Sequence, residues 1–314
     1  MNNIMNKVFA ISLLVLSQTL LAQTPPTRDH YAATFDRHRN RLLIFGGNGN
    51  EGGSYLSDLW EYDGNNWVKV SDGQMRARSS HAMIFFPGMN KSLLLGGISK
   101  EGEYLSAMGL WDGEKWQQLD GGPSPRYSPA VAYDESREVL VVFSGAGRGE
   151  DILWEWQNGK WSPVPLEGMY PTPRVRAQMA YDYIRRTVIL FGGYAEGKSA
   201  GDMWEWNGKQ WKKLLVDTPP ARNNHLMISD RGRQRIVLFG GKNRQDDVLF
   251  GDTWEWDGSQ WTKIADEGPT PRDMTSGAFD ENRQRVVLFG GRNKDRQKLG
   301  DFWEWDGTQW LPIK

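Results

Sequence analysis

The sequence predicts an all-β fold, a six-bladed β-propeller of four-stranded antiparallel blades, and three observations carry that expectation. A glycine pair recurs at Gly46-Gly47, Gly96-Gly97, Gly192-Gly193, Gly240-Gly241 and Gly290-Gly291, with Ser144-Gly145 as the third member, at spacings of 50, 48, 48, 48 and 50 residues. An Arg stands 18 residues before every pair, at Arg28, Arg78, Arg126, Arg174, Arg222 and Arg272. All 16 Trp fall at three positions downstream of the pairs, five at the first, five at the second and six at the third. A fixed long period is the signature of a repeat architecture, and four-stranded sheets repeated radially make a propeller.

Each unit resolves into four strands. The first follows the Arg, as in Tyr31 to Phe35, and ends at an Asp three residues before a second Arg: Asp36 and Arg39, Asp134 and Arg137, Asp182 and Arg185, Asp230 and Arg233, Asp280 and Arg283. An Asp at the start of so short a connection is a turn signal, because its carboxylate can bond the backbone two residues on. The second strand is the apolar run that closes in Gly-Gly, for example Val286 to Phe289. The third carries the Trp-Glu-Trp segment, clearest at Trp204, Glu205, Trp206 and at Trp254, Glu255, Trp256, where alternation puts both Trp on one face. The fourth begins near the last Trp, after an Asp-Gly turn. Short connections force the first strand onto the second and the third onto the fourth, so each blade is expected to be contiguous in sequence. A buried Trp removes about 150 to 250 Å² from water, roughly 4 to 6 kcal/mol gross, so the repeated Trp are expected to form a blade-to-blade core. The second unit departs most, with Gly109 for Trp, Leu110 for Glu and Pro87-Gly88-Met89 for the Asp turn.

Composition narrows the function. Lys plus Arg number 38 against 39 Asp plus Glu, so no basic surplus is available to neutralise phosphates, and nucleic acid is not an expected partner. The absence of Cys removes disulfides, thiolate metal sites and Cys nucleophiles. Lys7, the largely apolar run Val8 to Leu16 and the polar residues from Gln23 onward read as a secretory signal peptide cleaved after Ala22. The expected organisation is therefore residues 1–22 as signal and 23–314 as propeller, exported to the periplasm or exterior, with no membrane span in the mature chain.

An Arg with an occasional His three residues on (His81, His225), a hydrophobic run ending in Gly-Gly, and Trp-x-Trp with a Trp five residues later together resemble the kelch repeat, over residues 27 to 314. That resemblance implies that the residues just after each repeated Arg approach the central mouth: Asp29 and His30, Ser79 and Ser80, Tyr127 and Ser128, Val175 and Arg176, Asn223 and Asn224, Asp273 and Met274. They differ in every unit, as do the loops after Gly-Gly, and such variation on one face marks a binding face. The candidate ligand-binding residues are Asp29, His30, Ser79, Tyr127, Arg176, Asn223, Asn224 and Asp273, with Arg176 suited to a carboxylate and one of Asp29 and Asp273 retaining its proton. Residues that recur in nearly every unit are read as structural: the six Arg and the Glu at 61, 155, 205, 255 and 304. His81 and His225 are read as satisfied strand residues, and no catalytic residue, metal or cofactor is assigned. The leading function is an exported binding or interaction module for a glycan, small polar ligand or protein. The alternative is a sugar isomerase, since some exported bacterial kelch propellers are sialic acid mutarotases.

Overall fold

The computed structural model describes residues 23–313 apart from 51–52, 148 and 150, and the expected signal segment lies outside the described residues. Six four-stranded antiparallel sheets follow one another along the chain. Blade one is Ala32–Asp36, Arg41–Gly49, Tyr55–Tyr62 and Trp67–Ser71, with the short strand Arg28–Asp29 pairing the end of its second strand. Blade two is Ala82–Phe86, Lys91–Leu95, Met108–Trp111 and Trp116–Leu119, and blade three is Ala130–Asp134, Val139–Phe143, Leu153–Gln157 and Lys160–Pro163. Blade four is Gln178–Asp182, Thr187–Phe191, Met203–Trp206 and Trp211–Leu214. Blade five is Leu226–Asp230, Arg235–Phe239, Thr253–Trp256 and Trp261–Ala265, and blade six is Ser276–Asp280, Arg285–Arg292, Lys298–Trp305 and Trp310–Ile313. Every blade runs first to fourth strand without exchange, so the ring closes by packing of blade one on blade six rather than by a shared sheet. No helix among the described residues is long and apolar enough to cross a membrane.

The core is a set of interfaces between neighbouring blades. The Trp face of each blade covers the second strand of the blade before it: Trp204, Trp206 and Trp211 of blade four lie on Val139, Val141 and Phe143 of blade three. At the closure, Trp60, Tyr62 and Trp67 lie on Val287 and Phe289 of blade six in the same way. The second and third aromatic positions stand directly opposite one another across the last hairpin, as Trp206 and Trp211 do with ring centroids 5.4 Å apart.

The recurring polar residues brace this core. Asp36 caps the backbone N–H groups of His38 and Arg39 and accepts the Arg39 side chain at 2.8 Å, while Arg39 also reaches Glu61 at 2.6 Å. The same Arg-to-Glu bond recurs as Arg137 to Glu155, Arg185 to Glu205, Arg233 to Glu255 and Arg283 to Glu304. Three of these Glu also accept an indole N–H from the next blade: Glu61 from Trp111, Glu155 from Trp206 and Glu255 from Trp305. Each repeated Arg is buried and donates to the carbonyl 18 residues on, the first of its Gly-Gly pair or Ser144. Four of them add a carboxylate that the sequence reading passed over: Asp58, Asp202, Asp252 and Asp301, each two residues before the first Trp, whose N–H it also accepts. Arg78 and Arg126 have only carbonyl or hydroxyl partners, and burial pushes both guanidinium groups down to about 10.

Candidate functional site

The strand starts and the loops after Gly-Gly meet at one end of the ring, the upper face. Asp29 pairs with Asn48, Ser79 with Ile98, Tyr127 with Ala146, Val175 with Tyr194, Asn223 with Lys242 and Asp273 with Arg292. The residue after each of the first members takes a left-handed conformation: His30, Ser80, Ser128, Arg176, Asn224 and Met274 have φ between 50° and 60°. Their backbones form a closed belt. The N–H of His30 donates to the Met274 carbonyl, Ser80 to His30, Ser128 to Ser80, Arg176 to Ser128, Asn224 to Arg176 and Met274 to Asn224, at 2.7 to 3.3 Å. One residue per blade is thereby fixed around the axis, and the belt crosses the blade-six to blade-one junction like any other.

The candidate residues divide into two kinds. Asp29, Ser79, Asn223 and Asp273 are buried beneath the rim and held by near neighbours: Asn223 donates to the Ser199 hydroxyl in the loop of blade four and to the Lys242 carbonyl of its own blade, and Asp273 faces Arg292 at 3.4 Å. They shape the mouth rather than line it. His30, Tyr127 and Arg176 are partly exposed, and Asn224 is buried with its side-chain amide nitrogen unpartnered. Around them the loops bring groups that no repeat pattern marks. Tyr104 packs on Tyr127 with centroids 5.1 Å apart, and Arg244 lies 5.0 Å over the Tyr194 ring. Lys298 donates to the Gly49 carbonyl across the ring closure.

Arg176 is the anomaly of the site. The repeated Arg all have acceptors, whereas no Arg176 side-chain nitrogen bonds to protein among the described residues, and its buried Nε is unpartnered. Burial, then the Arg244 charge, pushes its guanidinium below the usual range, with Arg292 adding to the effect and Tyr127 and Asp273 opposing it. An anion placed there would relieve an uncompensated, partly desolvated cation. The expectation of a retained proton concerned one of Asp29 and Asp273, and the surroundings of Asp29 favour its ionised form. Burial alone would raise that carboxyl, but bonds from His30 at 2.9 Å and Asn48 at 2.8 Å and the nearby Lys298 charge hold it below its ordinary value.

Two further features lie on the axis. Below the belt, the first strands of all six blades enclose a cavity of about 260 Å³. His81 and His225 border it, and burial pushes both imidazoles down to about 3. His81 bonds the Phe45 carbonyl at 3.0 Å, but among the described residues His225 has no partner on either nitrogen, contrary to the expectation of a satisfied strand residue, and packs edge-on against Phe191. At the lower end the residue after each first-strand Asp closes the axis in a charge cluster: Arg37 bridges Glu135 and Glu281, Arg231 meets Glu281, and the Tyr183 hydroxyl donates to Glu135. That cluster was legible only as isolated turn residues, because its members come from five different blades.

No protein-family model matches this chain, and no curated protein matches it.

Proposed function

We propose that the chain is an exported kelch-type propeller whose upper mouth binds a small acidic glycan, the carboxylate resting on Arg176. Export rests on the amino-terminal signal pattern, and the kelch reading on the repeated Arg, Gly-Gly and Trp spacing with its six contiguous blades. The observation that carries the ligand class is the unpaired Arg176, close to the Arg244 and Arg292 charges, with Asp29 and Asp273 already engaged. A planar guanidinium matches a carboxylate, and Tyr104, Tyr127 and Tyr194 offer flat apolar faces for a sugar ring. Asn48 and Asn224 keep an unpartnered amide atom each for its hydroxyls.

A thermal-shift screen of D-glucuronate, D-galacturonate and N-acetylneuraminate against D-glucose and D-galactose tests this reading. A sugar acid at a hundred times its dissociation constant should stabilise the protein by about 2.7 kcal/mol, with neutral sugars silent. Equal shifts from the neutral sugars, or none from any acid, would overturn it in favour of a protein partner on the same face.

A further inference from the structure

We propose that blade two carries a binding site for a small monocarboxylate, of formate or acetate size, at the buried Arg78, separate from the upper mouth and from the function read there. Four of the repeated Arg hold a carboxylate in a parallel fork: Arg28 with Asp58, Arg174 with Asp202, Arg222 with Asp252 and Arg272 with Asp301. In each, Nη1 and Nη2 take one oxygen apiece at 2.6 to 3.1 Å. These Asp all stand two residues before the first aromatic position of their blade. In blade two that place, two residues before Gly109, is Ala107. Arg78 is nevertheless buried as deeply as its counterparts, at 0 % exposure. Its Nε donates to the Arg76 carbonyl at 3.1 Å, and its Nη1 donates to the Gly96 and Ala107 carbonyls at 3.0 and 2.8 Å. Nη2, the nitrogen that takes the second oxygen in the other four blades, has no partner among the described residues. Blade three also lacks the Asp, having Ile152 there, but its Arg126 Nη2 donates to the Ser124 hydroxyl and the Asp151 carbonyl. The orphaned nitrogen is therefore particular to blade two.

A buried cation without a counter-charge is costly, and the two-bond fork is the arrangement that best relieves it. No carboxylate of the chain does so here. Glu101 and Glu103 lie nearby but are bound to Arg76 at the surface, and the Arg76 charge adds to the burial that pulls Arg78 down to about 10. At neutral pH the guanidinium is still charged. What Ala107 lacks relative to Asp is the carboxylate alone, so a formate ion supplies the missing group and acetate adds one methyl. Ser106 and Ala107 are exposed, which puts the way in at the surface. The incoming carboxylate displaces the Ala107 carbonyl from Nη1, and that carbonyl, belonging to an exposed residue, turns to water. The ion then completes the fork seen in blades one, four, five and six.

Thermal unfolding in formate, at constant ionic strength and beside pivalate as a carboxylate of equal charge but too wide for the slot, tests the site. The Tm of wild type should rise by about 2 °C or more once formate passes about ten times its dissociation constant, and pivalate should leave it unchanged. Ala107→Asp supplies the carboxylate from the chain itself, so its Tm should start above that of wild type and no longer respond to formate. Arg176→Ala, altered only at the mouth, should respond as wild type does. Asp202→Ala opens the same slot in blade four, and formate should restore part of the Tm it loses. A formate response undiminished in Ala107→Asp, one that disappears in Arg176→Ala, an equal response to pivalate, no response in wild type, or no rescue of Asp202→Ala would each overturn the site.

Discussion

Trp206 is 1 % exposed and donates its indole N–H across a blade boundary to Glu155 at 3.0 Å, so its removal leaves a cavity and takes one donor from a carboxylate oxygen that Arg137 still bonds. Trp206→Ala should cost about 3 to 5 kcal/mol in urea unfolding, whereas Arg176→Ala, which breaks no side-chain bond, should stay within about 0.5 kcal/mol. Small and equal losses would mean that the Trp are not the core. The two buried histidines make a second claim at this scale. In the unfolded chain each titrates near 6.5, and in the folded protein burial pushes both down to about 3. Between those values the unfolded chain binds more protons, so stability falls as pH falls through that window. His225→Phe keeps the ring against Phe191 and removes one such group, so the variant should lose less stability than wild type between neutral and pH about 4.5. Parallel pH profiles would contradict this.

Blade two shows how a repeat element tolerates departure. It lacks the turn Asp and Arg and the Glu together, so no member of that ion-paired set is left without the others. The loss is felt next door: with Leu110 in place of Glu, the Trp156 indole N–H of blade three has no acceptor. Gly109 stands where other blades have Trp, and a Cβ there would meet the Met75 methyl and Trp116 ring at 2.9 Å. Met75 has filled the vacant place. Gly109→Trp should therefore destabilise by about 1 to 3 kcal/mol through overpacking, and Met75→Ala in the same chain should recover part of it, a coupling that a double-mutant cycle measures. Additive losses would contradict the exchange of one side chain for the other. At this scale the sequence was a good guide: strand number, contiguity, turn chemistry and the structural Arg, Glu and Trp all follow from spacing, because a residue needed in every blade recurs in every blade. The same logic explains what escaped. Asp58, Asp202, Asp252 and Asp301 recur in only four blades, and Arg244, Tyr104 and Tyr194 sit in loops of unequal length where no period registers them.

Over the whole molecule, closure is built from the same parts as every other junction. The belt continues from Met274 to His30, Trp67 packs on Phe289, and a Cβ on Gly290 would press to 2.8 Å on the Arg28 carbonyl, as one on Gly240 would on Arg272. The lower charge cluster adds a cross-axis tie, with Arg37 of blade one reaching Glu135 of blade three and Glu281 of blade six. The two ends of the axis thus differ: the lower Arg37 has two carboxylates, and the upper Arg176 has none. On the function proposed above, structure falls to the lower face and recognition to the upper. Titration calorimetry of a sugar acid into wild type, Arg176→Ala and Arg37→Ala tests it directly. Loss of binding in Arg176→Ala, with wild-type affinity in a folded Arg37→Ala, is the predicted result; undiminished affinity in Arg176→Ala would contradict it.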